Sequence, residues 1–89
     1  MYEYEITQKL RDVLLQISKK DKQLYEQILR KIEEIITSSN FEHYKNLRYK
    51  LKEFKRVHIG HFVLIFKLDQ ENQIIRFHDF QHHDFIYKK

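Results

Sequence analysis

Hydrophobic and polar residues alternate at the start of the chain and then recur at helical spacing. Tyr2, Tyr4 and Ile6 alternate with glutamates, which predicts a half-buried strand with its aromatic side chains directed inward. Thr7 and Asp21 can each cap the first turn of a following helix. Two apolar stripes follow these caps, Leu10, Val13, Leu14 and Ile17 first, then Leu24, Tyr25, Ile28, Ile32, Ile35 and Ile36. Their spacing predicts two amphipathic helices, and the short joint between them predicts an antiparallel hairpin.

The carboxyl half of the chain has the pattern of three strands. The runs 54–59, 62–68 and 74–80 are rich in β-branched and aromatic residues, and a polar turn at 69–73 separates the last two. Gly60-His61 between the first two runs is typical of a type II′ hairpin loop. Two amphipathic helices need an apolar sheet face to lie on. The predicted fold is therefore α+β, with two layers, the order β-α-α-β-β-β and a mainly antiparallel sheet.

The hairpin loop also predicts which residues share a face of the sheet. Directly paired residues in an antiparallel hairpin lie on the same face. With Gly60-His61 as the loop, the core face under the helices carries Val57, Ile59, Phe62 and Leu64. Arg56 and His58 then lie on the open face, opposite Ile65 and Val63. A slip of one residue would bury Arg56 and His58 in the core, which is costly.

Length and composition limit the possible functions. The 89 residues are enough for one domain, 1–89, and the absence of cysteine excludes disulfides. The start of the chain lacks a signal-peptide pattern, and no apolar run reaches the ~20 residues of a membrane span, so a soluble, cytoplasmic protein is expected. Lysine and arginine number 17 against 13 acids, for a net charge of +4. This excess favours a polyanionic partner, RNA above all.

The predicted open face collects the groups that metal-free RNA cleavage requires. Such cleavage needs a base for the 2′-hydroxyl, cations for the developing phosphorane charge and an acid for the leaving oxygen. Arg56 and His58 lie on this face, the basic segment 48–52 reaches its edge, and the tail 82–87 is positioned to fold over it. Histidine and tyrosine serve as acid or base, and aromatic rings stack on unpaired bases. The pattern indicates a ribonuclease.

A metal site at His82, His83 and Asp84 is not expected from the sequence. Consecutive residues on an extended tail point in opposite directions and rarely bind one ion together. The chain also has no cysteine and no His-x-x-x-His pair on a helix. Neither a metal nor another cofactor is therefore predicted.

Three stretches of the chain resemble a known family. They are Leu47-Arg48, the run from Arg56 through Gly60 to Phe66, and the tail from His82 to Tyr87. Their order and spacing after two helices are similar to the RelE/ParE superfamily of toxins from prokaryotic toxin–antitoxin pairs, over nearly the whole chain. The RelE branch implied by this resemblance cleaves mRNA in the ribosomal A site. A cognate antitoxin binds the toxin and blocks it.

The resemblance also implies roles for individual residues. Tyr87 falls on a tyrosine that stacks on the substrate base or takes part in proton transfer. The implied catalytic residues are Arg56, His58, His83 and Tyr87. The implied RNA-binding residues are Arg48, Lys50, Lys52, Lys55, Arg76 and His82. Val63 stands where the family often has arginine, and His58 replaces the usual arginine or lysine, so Arg76 or Lys52 would have to supply the phosphate clamp.

Two other functions remain open from the sequence. A ParE-like toxin would inhibit DNA gyrase and cut nothing, although that branch generally lacks the histidine and tyrosine tail. A catalytically weakened toxin would act as a binding module, and the departures at His58 and Val63 keep that reading open. A supercoiling assay separates the first alternative from RNA cleavage, and an RNA cleavage assay separates the second.

Overall fold

Two helices lie on one face of a five-stranded sheet in the computed structural model, which describes residues 2–47 and 53–84. The elements are β1 (Glu3–Ile6), α1 (Gln8–Lys20), α2 (Lys22–Ile36), a short 3-10 helix (Phe41–His43), β2 (Lys45–Asn46), β3 (Lys55–Ile59), β4 (Phe62–Asp69) and β5 (Ile74–His82). The predicted α+β class and element order are confirmed. Neither helix is long and apolar enough to cross a membrane, as far as the described ranges extend.

The helices begin at the two capping residues that the sequence predicts. The Thr7 hydroxyl accepts a hydrogen bond from the amide of Leu10 at 3.2 Å. The Asp21 carboxylate accepts one from the amide of Leu24 at 3.1 Å. Each cap satisfies a backbone donor that has no partner inside the helix. Asp21 also ends α1, because its own amide donates to the carbonyl of Ile17 at 2.8 Å, so one residue forms the whole joint of the helical hairpin.

The strand order in the sheet is β1-β5-β4-β3-β2. β1 runs parallel to β5, and the other neighbouring pairs are antiparallel. The predicted hairpin register is confirmed, with Ile59 opposite Phe62 and Arg56 opposite Ile65. The β4–β5 register shifts between Ile65 and Phe66, which leaves His78 as an extra residue in β5. Such a bulge bends its strand and redirects a side chain.

The core lies between the helices and the sheet face that the register prediction identified. Both helices contribute their apolar stripes, and the sheet contributes alternate residues of its three longest strands. Its fully or nearly fully buried members include Leu10, Ile28, Ile35, Ile59, Leu64, Phe66, Ile75, Phe77 and Phe80. Phe66 lies at the centre, with ring centroids 5.6–5.8 Å from those of Phe41, Tyr44 and Phe77.

Two details differ from the sequence prediction. Tyr4 was expected inside, yet it remains 50% exposed because β1 is an edge strand that the helices cover only in part. The segment 41–46 was not predicted to be ordered, yet it forms the 3-10 turn and the short edge strand β2. Phe41 and Tyr44 of this segment are buried against Phe66. Aromatic burial against the sheet, rather than local propensity, therefore orders it.

We expect Gly60→Ala to lower the free energy of unfolding by about 1 kcal/mol, because Gly60 has φ of +63° at the loop between β3 and β4. An added Cβ meets no atom within 4 Å, so the cost is conformational and not steric. Gly60→Asn should cost less, because asparagine tolerates this region better than alanine. Urea unfolding of wild type, Gly60→Ala and Gly60→Asn measures the order of their free energies of unfolding. Alanine and asparagine variants of equal stability would contradict the conformational explanation.

Candidate functional site

Arg56 and His58 lie on the sheet face that points away from the helices, as the register predicts. Lys45 on β2 pairs directly with Arg56, which in turn pairs with Ile65 on β4. Two cations therefore stand side by side on one face of neighbouring strands. Like charges directly opposite one another destabilise a sheet. We call Lys45, Arg56 and His58 the basic strip.

The middle of this face is less open than the sequence suggests. Val63 and Ile65 were expected at the surface, but they are buried under Leu47 and Phe54. Leu47 and Phe54 are joined by a 2.8 Å hydrogen bond between the amide of the first and the carbonyl of the second. Leu47 and Phe54 stand on either side of the basic segment 48–52, which itself lies outside the described residues. Burial also explains Val63, because a charged side chain at this position would lose its hydration.

The side chain of Lys55 does not reach the open face. Lys55 is 6% exposed, and its ammonium group donates to the carbonyl of Tyr44 at 3.0 Å and to the side-chain oxygen of Asn46 at 3.1 Å. The same group lies 3.5 Å from a carboxylate oxygen of Glu42. Lys55 alternates with Arg56 along β3 and must point to the helix side. Its predicted contact with RNA conflicts with this position, and Lys55 is not part of the proposed site.

Arg76 lies on the open face but is engaged by two acids. Its guanidinium group donates to Glu5 at 2.8 Å and to Asp69 at 3.1 Å. The hydrogen bond with Glu5 is the main cause that raises the pKa of Arg76, and the bond with Asp69 adds to it. The expected role as a phosphate clamp would require breaking both pairs. The structure therefore argues against Arg76 as an RNA-binding residue.

His78, the bulge residue of β5, packs at the other end of this face. Its ring meets that of Phe54 edge to face, with centroids 4.9 Å apart. Burial lowers the pKa of His78, and the positive charges of Lys67 and Arg76 lower it further. His78 is thus held neutral and supports Phe54. It contributes no charge to the basic strip.

We expect stability to fall on acidification partly through His78. Its folded-state pKa is lowered, whereas the unfolded chain takes up the proton near pH 6.5. The folded state therefore binds fewer protons, so its stability is complete above about pH 6.5 and declines as pH falls through the lower folded value. His78→Phe keeps the contact with Phe54 and should flatten this decline. Urea unfolding between pH 7.5 and 5 measures the difference, with exposed His43→Phe as control. Parallel pH profiles for wild type and His78→Phe would contradict it.

A group of imidazoles lies where the tail meets the β3–β4 loop. The amide of His83 donates to the carbonyl of His61 at 2.9 Å, which attaches the end of β5 to the loop. The rings of His82 and His83 stack with centroids 4.7 Å apart. Nδ1 of His82 lies 3.6 Å, and Nδ1 of His83 lies 3.3 Å, from the carboxylate oxygens of Asp84. The chain turns at 83–84, so these side chains converge and do not point apart as an extended tail would require.

The basic strip and these imidazoles are separate parts of the surface. His82 pairs with Phe62, a core-face residue, so it lies on the helix side of the sheet end and not beside Arg56. Sheet spacing puts the Cα atoms of His58 and His83 roughly 12 Å apart, across two strands and two residues along them. A substrate would have to bridge them. Four predicted site residues, Arg48, Lys50, Lys52 and Tyr87, lie outside the described residues.

Sequence reasoning missed two residues at these places. Lys45 belongs to the basic segment, but only the formation of β2 puts it beside Arg56. His61 was read as a turn residue, and only the return of β5 to the loop puts its ring 6.1 Å from that of His82. The available signals were the excess of cations in 43–56 and the histidines near the β3–β4 loop and at the end of β5.

Comparisons with known proteins agree with this fold. No protein-family model matches the chain. The chain is 52% identical over 90 residues to a protein of Methanocaldococcus jannaschii named "Putative toxin RelE4", covering 100% of this chain and 94% of that one. The toxin–antitoxin complex RelBE2 of Mycobacterium tuberculosis contains a chain with a TM-score of 0.73 and 17% identity, covering 91% of this chain and 90% of that one. The isolated RelE toxin of E. coli has a TM-score of 0.73 and 13% identity, covering 92% and 84%.

The two kinds of likeness carry different weight. Identities of 13–17% to the solved structures establish a shared fold and nothing finer. An identity of 52% over the full chain establishes kinship. The chain therefore belongs to the RelE-like toxin superfamily.

Proposed function

We propose that this protein is the toxin of a toxin–antitoxin pair and cleaves mRNA on the ribosome, without a metal ion, in the cytoplasm. The observation that carries the proposal is the basic strip, in which Lys45 and Arg56 are paired across β2 and β3 beside His58. Family membership supports the role of toxin. The strip supplies what the reaction needs most, fixed positive charge at a phosphate.

The proposed reaction is an internal transfer at one phosphate. The 2′-hydroxyl oxygen attacks the neighbouring phosphorus and loses its proton to a general base. The bond from phosphorus to the 5′-oxygen breaks, and a general acid gives that oxygen a proton. The products are a 2′,3′-cyclic phosphate and a 5′-hydroxyl end. No oxidant, water or cofactor is consumed, and negative charge builds up on the phosphoryl oxygens in between.

The residues have distinct parts in this proposal. Arg56 stabilises the phosphoryl charge, because a guanidinium donates two parallel hydrogen bonds to a phosphate. Lys45 adds a second cation on the same face. His58 is exposed beside this pair, and an imidazole can serve as general acid or base. His83 and Tyr87 would act from the tail once the substrate bridges the two parts of the surface.

A groove next to the basic strip offers a path for more of the RNA backbone. A groove of about 420 Å³ runs between α2 and the loop after β3, and His58, Arg30 and Lys31 line part of it. Lys31 is paired with Glu34 at 3.1 Å within the groove wall. Cations at intervals along an open groove bind a phosphate backbone without reading bases. This arrangement fits a long RNA substrate held on a second scaffold, such as the ribosome, better than a small molecule.

The proposed partner is a cognate antitoxin, as in the toxin–antitoxin complex RelBE2 of M. tuberculosis. Another groove, lined by Tyr4, Ile6, Leu29, Ile32 and Ile36 among others, offers apolar side chains between α2 and β1. Tyr4 and Leu29 are exposed there. An apolar segment of the antitoxin would cover this groove, and acidic residues would cover the basic strip.

Primer extension on a defined mRNA, translated in a cell-free system with and without the protein, tests the proposed function. We expect cuts inside codons that require ribosomes and persist in EDTA-treated protein. An intact message with halted translation would replace cleavage by a binding mode. An intact message with normal translation would overturn the proposal, and a gyrase supercoiling assay would then test a ParE-like activity.

A further inference from the structure

We propose that His82, His83 and Asp84 form a binding site for a borderline transition-metal ion such as Zn²⁺, with His61 as a fourth ligand. The three consecutive residues each offer one ligand atom, and these atoms all lie within 4.8 Å of one another. They are the one such group among residues 2–47 and 53–84. This site is separate from the basic strip, since His82 pairs with the core-face residue Phe62.

The local backbone holds these ligands together. The hydrogen bond from the amide of His83 to the carbonyl of His61 fixes the turn against the loop, and Gly60 sets the shape of that loop. The amide of Asp84 donates to Nδ1 of His82 at 3.2 Å, and this hydrogen bond must be given up if Nδ1 rather than Nε2 binds the ion. The ligands are therefore attached to two strand ends and not to a mobile tail. Such attachment reduces the entropy lost when an ion binds.

The side chains already face a common point. Both Nδ1 atoms approach the two oxygens of one carboxylate, at 3.3 and 3.6 Å. Donor atoms around a tetrahedral Zn²⁺ lie about 3.4 Å apart, given Zn–N bonds of about 2.1 Å. The largest separation of 4.8 Å must therefore shrink by about 1.5 Å, which side-chain rotation supplies. The half-exposed state of both histidines leaves room for that rotation.

His61 is placed to complete the coordination. Its ring centroid lies 6.1 Å from that of His82 and 6.4 Å from that of His83. Two imidazoles bound to one tetrahedral ion have centroids about 5 Å apart, so His61 must move inward by about 1 Å. His61 is exposed and sits at the tip of the loop, where its side chain has free rotamers.

The ligand set determines which ions bind. Imidazole nitrogens with one carboxylate suit Zn²⁺, Ni²⁺, Co²⁺ and Cu²⁺. Mg²⁺ and Ca²⁺ prefer oxygen ligands and should not compete. Asp84 supplies a negative charge that partly compensates the ion, although it is largely exposed.

Metal binding would inhibit the proposed nuclease, a consequence that rests on the proposed function. A nitrogen of His83 bonded to the ion cannot exchange a proton with RNA. The ion would also tie the end of β5 to the β3–β4 loop. A cell rich in free zinc or nickel would then hold the toxin inactive without an antitoxin.

Isothermal titration of the untagged chain with Zn²⁺, repeated with Mg²⁺, tests the site. We expect one Zn²⁺ per chain, no Mg²⁺ heat and a higher thermal midpoint with Zn²⁺. We expect at least tenfold weaker Zn²⁺ binding in each of three variants, His82→Gln, His83→Gln and Asp84→Asn. Mutation of a residue that only hydrogen-bonds to a metal ligand already lowers metal affinity by about 10- to 100-fold. His61→Gln should weaken it less. His43→Gln, which removes an exposed histidine elsewhere, is the matched control and should bind as wild type does.

The outcomes separate the metal site from the proposed function. Equal Zn²⁺ affinity in wild type and in the double variant His82→Gln/His83→Gln would overturn the site, and so would equal weakening by His43→Gln. The ligand side chains are at least 37% exposed, so these variants should fold, which the thermal midpoint without metal checks. Tight Zn²⁺ binding by a protein that cuts no RNA would support the site and refute the nuclease. Cleavage that stops when the protein is loaded with Zn²⁺, and that returns when the protein is treated with EDTA and dialysed before it meets the ribosomes, would support both.

Discussion

Arg56→Ala is expected to reduce ribosome-dependent mRNA cleavage by about 100- to 1,000-fold, as the loss of one donor to a developing anion does in other enzymes. The guanidinium of Arg56 is the group on the open face best suited to the phosphoryl charge. Its position follows from the confirmed hairpin register and does not depend on the tail. Primer extension with a dilution series of wild type and variant measures the loss.

Two further variants make this result specific. Arg56→Lys keeps the charge but loses the bidentate geometry, so its cleavage should fall between that of wild type and alanine. Arg11→Ala removes an exposed arginine from the helix layer, whose Nε donates to the carbonyl of Ile6, and should cleave as wild type does. Circular dichroism establishes that each variant is folded. A folded Arg56→Ala protein with more than half of the wild-type cleavage would refute the assignment of the basic strip.

Phe66→Ala is expected to lower the free energy of unfolding by about 3–5 kcal/mol. Phe66 is fully buried on β4, the central strand, and its ring contacts Phe41, Tyr44 and Phe77. Truncation leaves a cavity that these rings cannot fill without moving the 3-10 turn. A domain of this size has a total stability near the lower end of 5–15 kcal/mol, so the variant should be partly unfolded at 37 °C. Urea unfolding followed by circular dichroism measures the change.

Leu15→Ala is the surface control for this core substitution. It removes three carbon atoms from α1, half the six that Phe66→Ala removes, and Leu15 is 54% exposed, so the expected loss is below about 1 kcal/mol. A Phe66→Ala protein as stable as Leu15→Ala would mean that the aromatic contacts of Phe66 contribute little to the stability of the core.

The sheet face of each residue in the β3–β4 hairpin was predictable from local pattern. A two-residue loop with one glycine fixes the pairing, and side chains alternate strictly along a strand. Arg56 and His58 were therefore assigned correctly to the face away from the helices. The same alternation assigns Lys55 to the helix side, but the cluster of cations around it favoured RNA contact. Its buried hydrogen bonds with Tyr44 and Asn46 depend on the fold of 41–46, which had no local signal.

The local sequence pattern could not predict the contacts at the ends of the sheet. Arg76 meets Glu5 because β1 and β5 run parallel, an encounter across 71 positions in the chain. His61 meets His83 because β5 runs to the end of the hairpin, where His82 pairs with Phe62 and the next amide reaches the loop. An extended tail would direct the side chains of His82, His83 and Asp84 apart, whereas the turn at 83–84 brings them together.

The amino-acid sequence by itself determined the two capped helices, the hairpin register and the α+β class, because these follow from interactions between residues close together in the chain. Tertiary structure alone decided the parallel pairing of β1, the burial of Val63 and Ile65, and the neighbours of Lys45, Arg76 and His61. Each of these depends on contacts between distant segments, whose free energy is set by the whole packed arrangement. Local propensity carries no record of that arrangement, so the chemistry of this surface became visible only once the strands were placed side by side.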